Sequence, residues 1–438
     1  MSNKLIFGFE NFLSNGDPLP NCYDYEFKGN KICNSGNVFL GMFQQISYHF
    51  LKKSTRDWDS LTVNTISIND TETKYFFHID VNSFAYSLGY NKWPDTFEEV
   101  SIFDSIPKKV LNDAKQNKCN IVVNYGYEGL SEVHRDSILH LPLLNRLHDL
   151  LKKHEISQKN FIYLDSNVHL VNIRLHTDIN IGMYEYCAQD WYRFTKIRPK
   201  MMYHGNKTSL SNMKKWEETQ KNQRSKYYLS FNRLPKEHRV KLITSLDKNN
   251  LLDKGYVSFA NNISDWDWRD MVTEDEKKSI ERRLPLKIDK DDLSDSKYSY
   301  EEFEIKYYLD SYFQIVCGNN FSDLKDQLIF SEKIWKPITN LQPFIYLDDV
   351  GAIRKLNDYG FKTFHPYIDE SYDDIYDVEK RFLHIEKEIL RLCSMSKEEI
   401  HDWYWEMKSI LSHNYFHFYN KFMRTEKQKL FLFLDETL

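Results

Sequence analysis

Short apolar runs alternate with helical patterns along this chain, and this alternation constrains the fold more than any other feature of the sequence. The runs at 121–125 and 161–164 have the length of buried strands, and a polar turn follows each one. Residues 137–154 then show helical spacing. Strands that alternate with helices pair in parallel, because the helix carries the chain back to the same edge of the sheet. The sequence therefore predicts an α/β protein with parallel sheets.

The alternation is interrupted by a polar stretch at 205–225, and it resumes with a strand pattern at 227–231. The last 60 or so residues are helical instead, since Ile400, Trp403 and Met407 recur every three or four positions. These shifts predict four parts: an N-terminal α/β domain at 1–205, a linker at 206–225, a second α/β domain at 226–397 and a C-terminal helical segment at 398–438.

Composition excludes several classes of function. Only 14 of the 438 residues are Gly, and neither G-x-x-x-x-G-K-[ST] nor G-x-G-x-x-G occurs, so a P-loop and a standard dinucleotide loop are excluded. The net charge of −5 gives no whole-surface footprint for nucleic acid. Six scattered Cys without a C-x-x-C indicate buried thiols in a reducing compartment, so we expect a cytoplasmic protein. No run of about 18 apolar residues occurs, so we expect no membrane span.

A basic motif follows the predicted strand at 227–231. Polar and cationic side chains come in quick succession there, before a helix begins: Asn232, Arg233, Lys236, His238 and Arg239. Cations at a helix start oppose the helix dipole unless they serve an anion, and Arg binds phosphate oxygens in pairs. The motif therefore suggests a diphosphate site, although a solvated basic turn would also fit the pattern.

A second motif, FSEKIWKPI, begins at Phe330. Ser331 can cap a helix that carries Glu332 in its first turn. Glu332 could accept hydrogen bonds from ribose hydroxyls, while Lys333 or Lys336 could bind a phosphate. A capped surface helix whose apolar side faces the core is the competing interpretation.

A third motif joins GFKTF, from Gly360, to an acidic segment, IDESYDD, from Ile368. Aromatic residues precede a loop rich in carboxylates and hydroxyls. A short strand with a capping loop explains this pattern better than a ligand site does.

Taken together, LSFNRLPKEHRVKLI, FSEKIWKPITNLQPFI and GFKTF followed by IDESYDDI resemble a family of glycosyltransferase-like proteins that is frequent in large DNA viruses, phages and bacteria. The second segment also resembles the donor-binding motif of the α1,3-fucosyltransferases. The resemblance covers about residues 227–381, and more weakly NYGYEG around Glu128. Outside the donor segment the chain departs from the fucosyltransferases, so the sugar is not inferred to be fucose.

The resemblance implies a GT-B fold, in which two Rossmann-like domains face each other across a cleft and the C-terminal one holds a nucleotide sugar. It implies no cofactor and no catalytic metal. Glu332 would bind the ribose and Lys333 a phosphate, while Arg233 and Arg239 would neutralise the diphosphate that leaves. The acceptor would be a glycan or another hydroxyl compound. A modified DNA base also fits, because the basic stretch 206–225 could contact a DNA backbone.

An inverting transfer needs a general base for the acceptor hydroxyl. We expect this base after a strand of the N-terminal domain, where Glu128 in NYGYEG is the first candidate and Asp165 in YLDSN the second. A solvated loop carboxylate is the alternative role for Glu128. The sequence leaves inverting and retaining stereochemistry open, as well as the oligomeric state.

Two other functions remain open at this point. A metal-dependent GT-A transferase would need a D-x-D triplet such as 57–59 or 265–267, but neither clearly follows a buried strand. A glycan-binding protein without catalysis could use the many Trp and Tyr side chains to stack on sugars. Paired carboxylates for a two-metal nuclease are not recognisable.

Overall fold

The computed structural model describes most of the chain in segments. These are residues 4–9, 25–27, 30–32, 62–70, 73–81, 84–92, 95–125, 140–170, 177–192, 195, 210–232, 234–259, 267–288, 305–323 and 327–438. They divide into two compact units. Unit 1 comprises 1–189, 326–329 and 424–438, and unit 2 comprises 190–325 and 330–423.

Unit 1 contains a six-stranded parallel sheet. Its strands and two short antiparallel ribbons are, in chain order, β1 (Lys4–Phe9), β2 (Tyr25–Phe27), β3 (Asn30–Ile32), β4 (Thr62–Ser67), β5 (Tyr75–Asp80), β6 (Tyr90–Lys92), β7 (Asp95–Phe97), β8 (Cys119–Tyr125), β9 (Phe161–Asp165) and β10 (Asn180–Met183). The sheet order is β10-β9-β8-β5-β1-β4, while β2–β3 and β6–β7 form the ribbons. All side chains of β8 and β9 are buried, as expected for parallel strands covered on both faces.

Short helices accompany this sheet, namely α1 (Phe84–Ser87), α2 (Lys108–Lys115), α3 (His140–Lys153) and α4 (Tyr186–Tyr192). Leu147 of α3 and Val110 of α2 belong to the same apolar core as Phe77 and Ile121 of the sheet. The predicted strands at 121–125 and 161–164 and the helix at 137–154 are confirmed within three residues at each end.

Unit 2 contains a second parallel sheet, with the order β12-β11-β13-β14. Its strands are β11 (Lys226–Asn232), β12 (Gly255–Phe259), β13 (Ser311–Cys317) and β14 (Phe344–Leu347). β11 thus pairs with both the next strand along the chain and the one after it. Strand addition reverses direction between β11 and β13, and this reversal creates the crevice in which open α/β sheets bind ligands.

The helices of unit 2 begin with α5 (Leu210–Glu218), α6 (Glu237–Lys248), α7 (Glu274–Arg283), α8 (Ile305–Leu309), α9 (Glu332–Thr339) and α10 (Ala352–Asp358). Next come α11 (Val378–Ser394), α12 (Lys397–Glu406) and α13 (Lys408–His417), a π-helical turn at Phe418–Phe422, and α14 (Met423–Glu436). The predicted mixed α/β fold with parallel sheets and C-terminal helices is confirmed.

The segment at 210–225, part of the predicted linker, is packed into unit 2. Trp216 of α5 is 1% exposed, donates a hydrogen bond to the Tyr404 hydroxyl and packs on Trp405. Arg224 is buried as well, and it donates to the carbonyl oxygens of Tyr308 and Ser311. The sequence did not predict these buried contacts, because most neighbouring side chains are polar and face solvent.

The C-terminal helices are shared between the two units. α12 and α13 belong to unit 2, whereas residues 424–438, most of α14, belong to unit 1. Phe433 fills space beside Gly182, where a Cβ would lie 2.5 Å from its ring, and Asn120 donates to the carbonyl of Thr437. The helical segment predicted at 398–438 is therefore helical but does not form one part of the fold.

The third sequence motif is structural. Glu370 accepts hydrogen bonds from the backbone N–H groups of Phe364 and His365. Asp373 accepts from the N–H groups of Ile353 and Arg354, and so satisfies the first turn of α10. The carboxylates of this segment satisfy backbone donors, as the capping interpretation predicts.

We predict that Trp216→Ala lowers the free energy of unfolding by about 3–5 kcal/mol, as truncation of a buried Trp usually does. Urea unfolding at equilibrium measures this value. Lys214→Ala, an exposed change on the same helix, is the control and should alter stability by less than about 0.5 kcal/mol. If both changes alter the free energy of unfolding equally and by little, Trp216 does not anchor this segment to unit 2.

Candidate functional site

The candidate site lies where β11 and β13 end, at the crevice of the unit 2 sheet. The segment after β11 leads through Lys236 into α6, and the segment after β13 begins with Gly318 and Asn319. Side chains from α6 and α9 converge on these two residues. We call residues 318–322 the β13 loop.

Two lysines from different elements bind Asn319. Lys236 Nζ donates to the Asn319 carbonyl oxygen at 2.9 Å, and Lys333 Nζ donates to Asn319 Oδ1, also at 2.9 Å. Two ammonium groups are thereby held within hydrogen-bond distance of one residue. Lys333 is also paired with Glu332, but Lys236, Lys333 and the nearby Arg239 outnumber this carboxylate, so the local charge favours an anion.

His238 and Arg239 bind the carbonyl oxygen of Gly318. Arg239 donates one guanidinium N–H to this oxygen at 2.7 Å and another to the carbonyl of Leu234 at 3.1 Å. The Nε2 of His238 lies 3.3 Å from the same Gly318 oxygen. Burial lowers the pKa of His238 well below its usual range, so the imidazole is neutral at pH 7. His238 and Arg239 therefore hold the carbonyl group of Gly318, the first residue of the β13 loop.

The first turn of α9 presents Glu332 and Lys333 side by side. Their carboxylate and ammonium groups are 3.3 Å apart, and both side chains are partly exposed. Burial raises the pKa of Glu332, but the charges of Lys333 and Lys336 outweigh this effect and hold the pKa below its usual value. Glu332 is therefore an ionised acceptor at the positive end of a helix.

Trp335 fixes the orientation of α9. Its ring is fully buried and stacks on Phe422, with further contacts to Phe418 and Phe361. Lys336 is buried, and its Nζ lies 5.6 Å from the centre of the Trp191 ring. It lies one helical turn beyond Glu332, whose pKa its charge helps to lower.

A pair of buried carboxyl groups, Asp348 and Asp349, follows β14. A Cβ on Gly318 would lie 1.8 Å from Asp348 Oδ2, so only glycine allows β13 to approach Asp348 this closely. Burial and the neighbouring Asp349 raise the pKa of Asp348 well above its usual value. Burial likewise raises the pKa of Asp349 to about 6, against the opposing effects of Ser322 and Arg381.

Asn232 and Arg233 are the remaining predicted donor residues. Asn232, at the end of β11, is fully buried and donates from Nδ2 to Ser230 Oγ at 2.9 Å. Among the described residues, its Oδ1 has no hydrogen-bond partner. Arg233 lies outside the described residues.

The structure brings together five of the predicted donor residues around the β13 loop, namely Lys236, His238, Arg239, Glu332 and Lys333. Sequence reasoning missed the residues that they surround, Gly318 and Asn319, as well as Asp348 and Asp349. Each of these pairs directly follows a buried strand, so a search after every predicted strand could have found them.

The predicted bases lie in unit 1. Glu128 is outside the described residues. Asp165 is fully buried at the end of β9, where it accepts hydrogen bonds from the Tyr163 hydroxyl at 2.5 Å and from the backbone N–H of Asn167 at 2.8 Å. These contacts close a turn, which is a structural role, and catalysis by Asp165 stays a prediction.

The described part of the chain contains no group of three or more His, Cys, Asp or Glu residues arranged to hold a metal ion. Of the two D-x-D triplets, 57–59 lies outside the described residues, and only Asp267 of 265–267 is described. Asp267 pairs with Arg269 at 3.0 Å. The helices that the structure describes include none that is long and apolar enough to cross a bilayer.

Comparison with known proteins gives a limited result. No protein-family model matches the chain, and no curated protein matches it. A solved α,α-trehalose 6-phosphate synthase from Burkholderia multivorans is 9% identical, with a TM-score of 0.34 over 84% of this chain and 72% of that one. A UDP-forming α,α-trehalose-phosphate synthase from Burkholderia vietnamiensis is also 9% identical, with a TM-score of 0.32 over 83% and 75%. Such low scores do not define a function.

We predict that Asp349→Asn stabilises the protein above pH 6. The folded chain holds a proton on Asp349 up to about pH 6, whereas an unfolded Asp loses it near 3.9, so wild-type stability falls as the pH rises between these values. The amide keeps an oxygen that can accept from Ser322. Urea unfolding from pH 4 to 8 should show a stability gap that opens toward pH 6 and then stays constant. A gap of the same size at pH 4 would contradict this account.

Proposed function

We propose that this protein is a glycosyltransferase that uses a nucleotide-diphosphate sugar as its donor. The observation that carries the proposal is the convergence of Lys236 and Lys333 on Asn319, at the crevice between β11 and β13. A parallel sheet binds ligands at this position, and ammonium groups on one residue of the crevice can bind the oxygens of an anion. Glu332, beside Lys333, supplies an acceptor for the ribose hydroxyls.

The chemistry of transfer explains why cations are needed there. The acceptor oxygen forms a bond to the anomeric carbon of the sugar, while the bond from that carbon to the diphosphate oxygen breaks. The nucleoside diphosphate leaves with the bonding electrons, so negative charge grows on the oxygen that Lys236 and Lys333 would face. Preorganised cations stabilise this charge without reorganisation during the reaction.

The acceptor hydroxyl must lose its proton as the new bond forms. We propose Glu128 as the base and Asp165 as the second candidate, in an inverting reaction without a catalytic metal or cofactor. The acceptor is a glycan or another hydroxyl compound, with a modified DNA base as a further candidate.

The four buried Cys side chains that the structure describes agree with a cytoplasmic setting.

A glycan-binding protein without catalysis is the second candidate. The clustering of cations disfavours it, because neutral sugars need stacked aromatic faces and hydroxyl partners and have no use for paired ammonium groups. Phe321 is the aromatic residue of the β13 loop, and it packs on Arg381 and His238.

We predict that the protein binds nucleoside diphosphates through these lysines. Isothermal titration with UDP, GDP, CDP and dTDP should detect binding of at least one, and Lys236→Met and Lys333→Met should each weaken it tenfold or more, equal to about 1.4 kcal/mol. Glu332→Gln should weaken binding of the diphosphate and of the matching nucleoside alike, because it contacts the ribose. The lysine changes should leave the nucleoside unaffected.

Lys241→Met is the matched control, since Lys241 lies on α6 but pairs with Glu379. It should bind the nucleotide as the wild type does. If none of the four nucleotides binds to the wild type, or if all three lysine changes act equally, the proposed donor site is wrong.

A further inference from the structure

The β13 loop is held at its far end by two charged residues from outside it. Ser322 donates from its backbone N–H and from its hydroxyl to Asp349 Oδ1, both at 2.8 Å. The carbonyl oxygen of Ser322 accepts a hydrogen bond from Arg381 at 2.6 Å. Every backbone polar group of Ser322 is thus bound by one of these two side chains.

Arg381 is buried to an unusual degree for a cation. Its side chain is 1% exposed, donates to the carbonyl of Ile375 at 2.9 Å, and packs over the ring of Phe321 at 4.4 Å. The ring of Phe321 also lies 5.9 Å from that of His238, which contacts Gly318 at the start of the loop. Arg381 therefore holds both Phe321 and Ser322, the last two residues of the loop.

The middle of the loop is different. Asn319 supplies two oxygens there, its backbone carbonyl and its side-chain Oδ1, and each accepts a hydrogen bond from a lysine. Lys236 and Lys333 bring their ammonium groups to this same segment.

A buried Arg and a buried Asp are a costly way to close a turn, since an apolar pair of similar volume is often as stable or more stable. Their hydrogen bonds are directed, however, and fix the loop in one conformation. A site that is already in its binding conformation does not lose affinity to the ordering of a loop.

We propose that Arg381 and Asp349 are positioning residues of the donor site. They fix the β13 loop so that Asn319 holds the ammonium groups of Lys236 and Lys333 where the diphosphate of the donor would bind. This inference rests on the proposed function and adds to it two residues that need not touch the nucleotide.

The test compares changes at the two ends of β13. Arg224 is the matched control: it is 2% exposed, donates to the carbonyls of Tyr308 and Ser311 at the start of β13, and packs over Tyr404 at 3.9 Å. Arg381→Met and Arg224→Met remove equally buried guanidinium groups. Melting temperature and affinity for whichever of UDP, GDP, CDP and dTDP binds the wild type are measured for both, together with the milder Arg381→Lys and Arg224→Lys.

We expect both arginine changes to lower the melting temperature, but only those at Arg381 to weaken nucleotide binding, by tenfold or more for Met. The changes at Arg224 should stay within twofold of the wild type. Asp349→Ala should weaken binding as Arg381→Met does, whereas Asp349→Asn at pH 7 should retain it, because the amide oxygen can still accept from Ser322. The Asp349 pair tests the inference even if Arg381→Met fails to fold.

Two results would overturn the inference in different ways. If the wild type binds a nucleotide and the Arg381 and Asp349→Ala variants bind it equally well, these residues only stabilise the fold, and the donor site itself stands. If the wild type binds none of the four nucleotides, the proposed function fails and the inference fails with it.

Discussion

Asn319 is the residue on which the site depends, because it accepts hydrogen bonds from lysines of two different helix starts. Lys236 precedes α6 and Lys333 lies in the first turn of α9, so this one residue links the ends of β11 and β13. The contact needs a strand end that passes close to its neighbours, and Gly318 allows this approach beside Asp348. Cations that would otherwise be solvated are thereby gathered at one crevice.

The two units share a pattern of strand addition. In unit 2, the second strand lies on one side of β11 and all later strands lie on the other, and unit 1 arranges β4 and β5 about β1 in the same way. Each sheet therefore has one point where the direction of addition reverses. In unit 2 the cations lie at this point. The strand order and the charges therefore indicate the same site by two independent arguments.

Sequence reasoning predicted a strand of unit 2 at 227–231, which the structure places at Lys226–Asn232, because a buried parallel strand is an apolar run with a polar turn after it. It also selected Lys236, since cations at a helix start are unfavourable without an anion, and it selected Lys333 through the resemblance of its motif to a donor-binding segment. It did not predict that β11 pairs with β13, and so it overlooked Gly318 and Asn319. Strand order depends on contacts between distant segments, which local patterns do not record.

Charge patterns were also less informative about burial. Arg239 and Lys236 are near neighbours in one basic motif, yet Arg239 is buried on two carbonyl oxygens while Lys236 is partly exposed. In the acidic segment, by contrast, Asp373 and Glu370 satisfy backbone donors as the capping interpretation predicts. A charged side chain whose hydrogen-bonding groups are satisfied by the backbone cannot be distinguished by sequence from one that faces a ligand.

Amide hydrogen exchange with and without a bound nucleoside diphosphate tests the central claim most directly. The account predicts slower exchange in peptides that cover 318–323 and 331–337, and little change in peptides from β9 and β10. Protection confined to unit 1, or binding that leaves the β13 loop and the start of α9 unprotected, would contradict it.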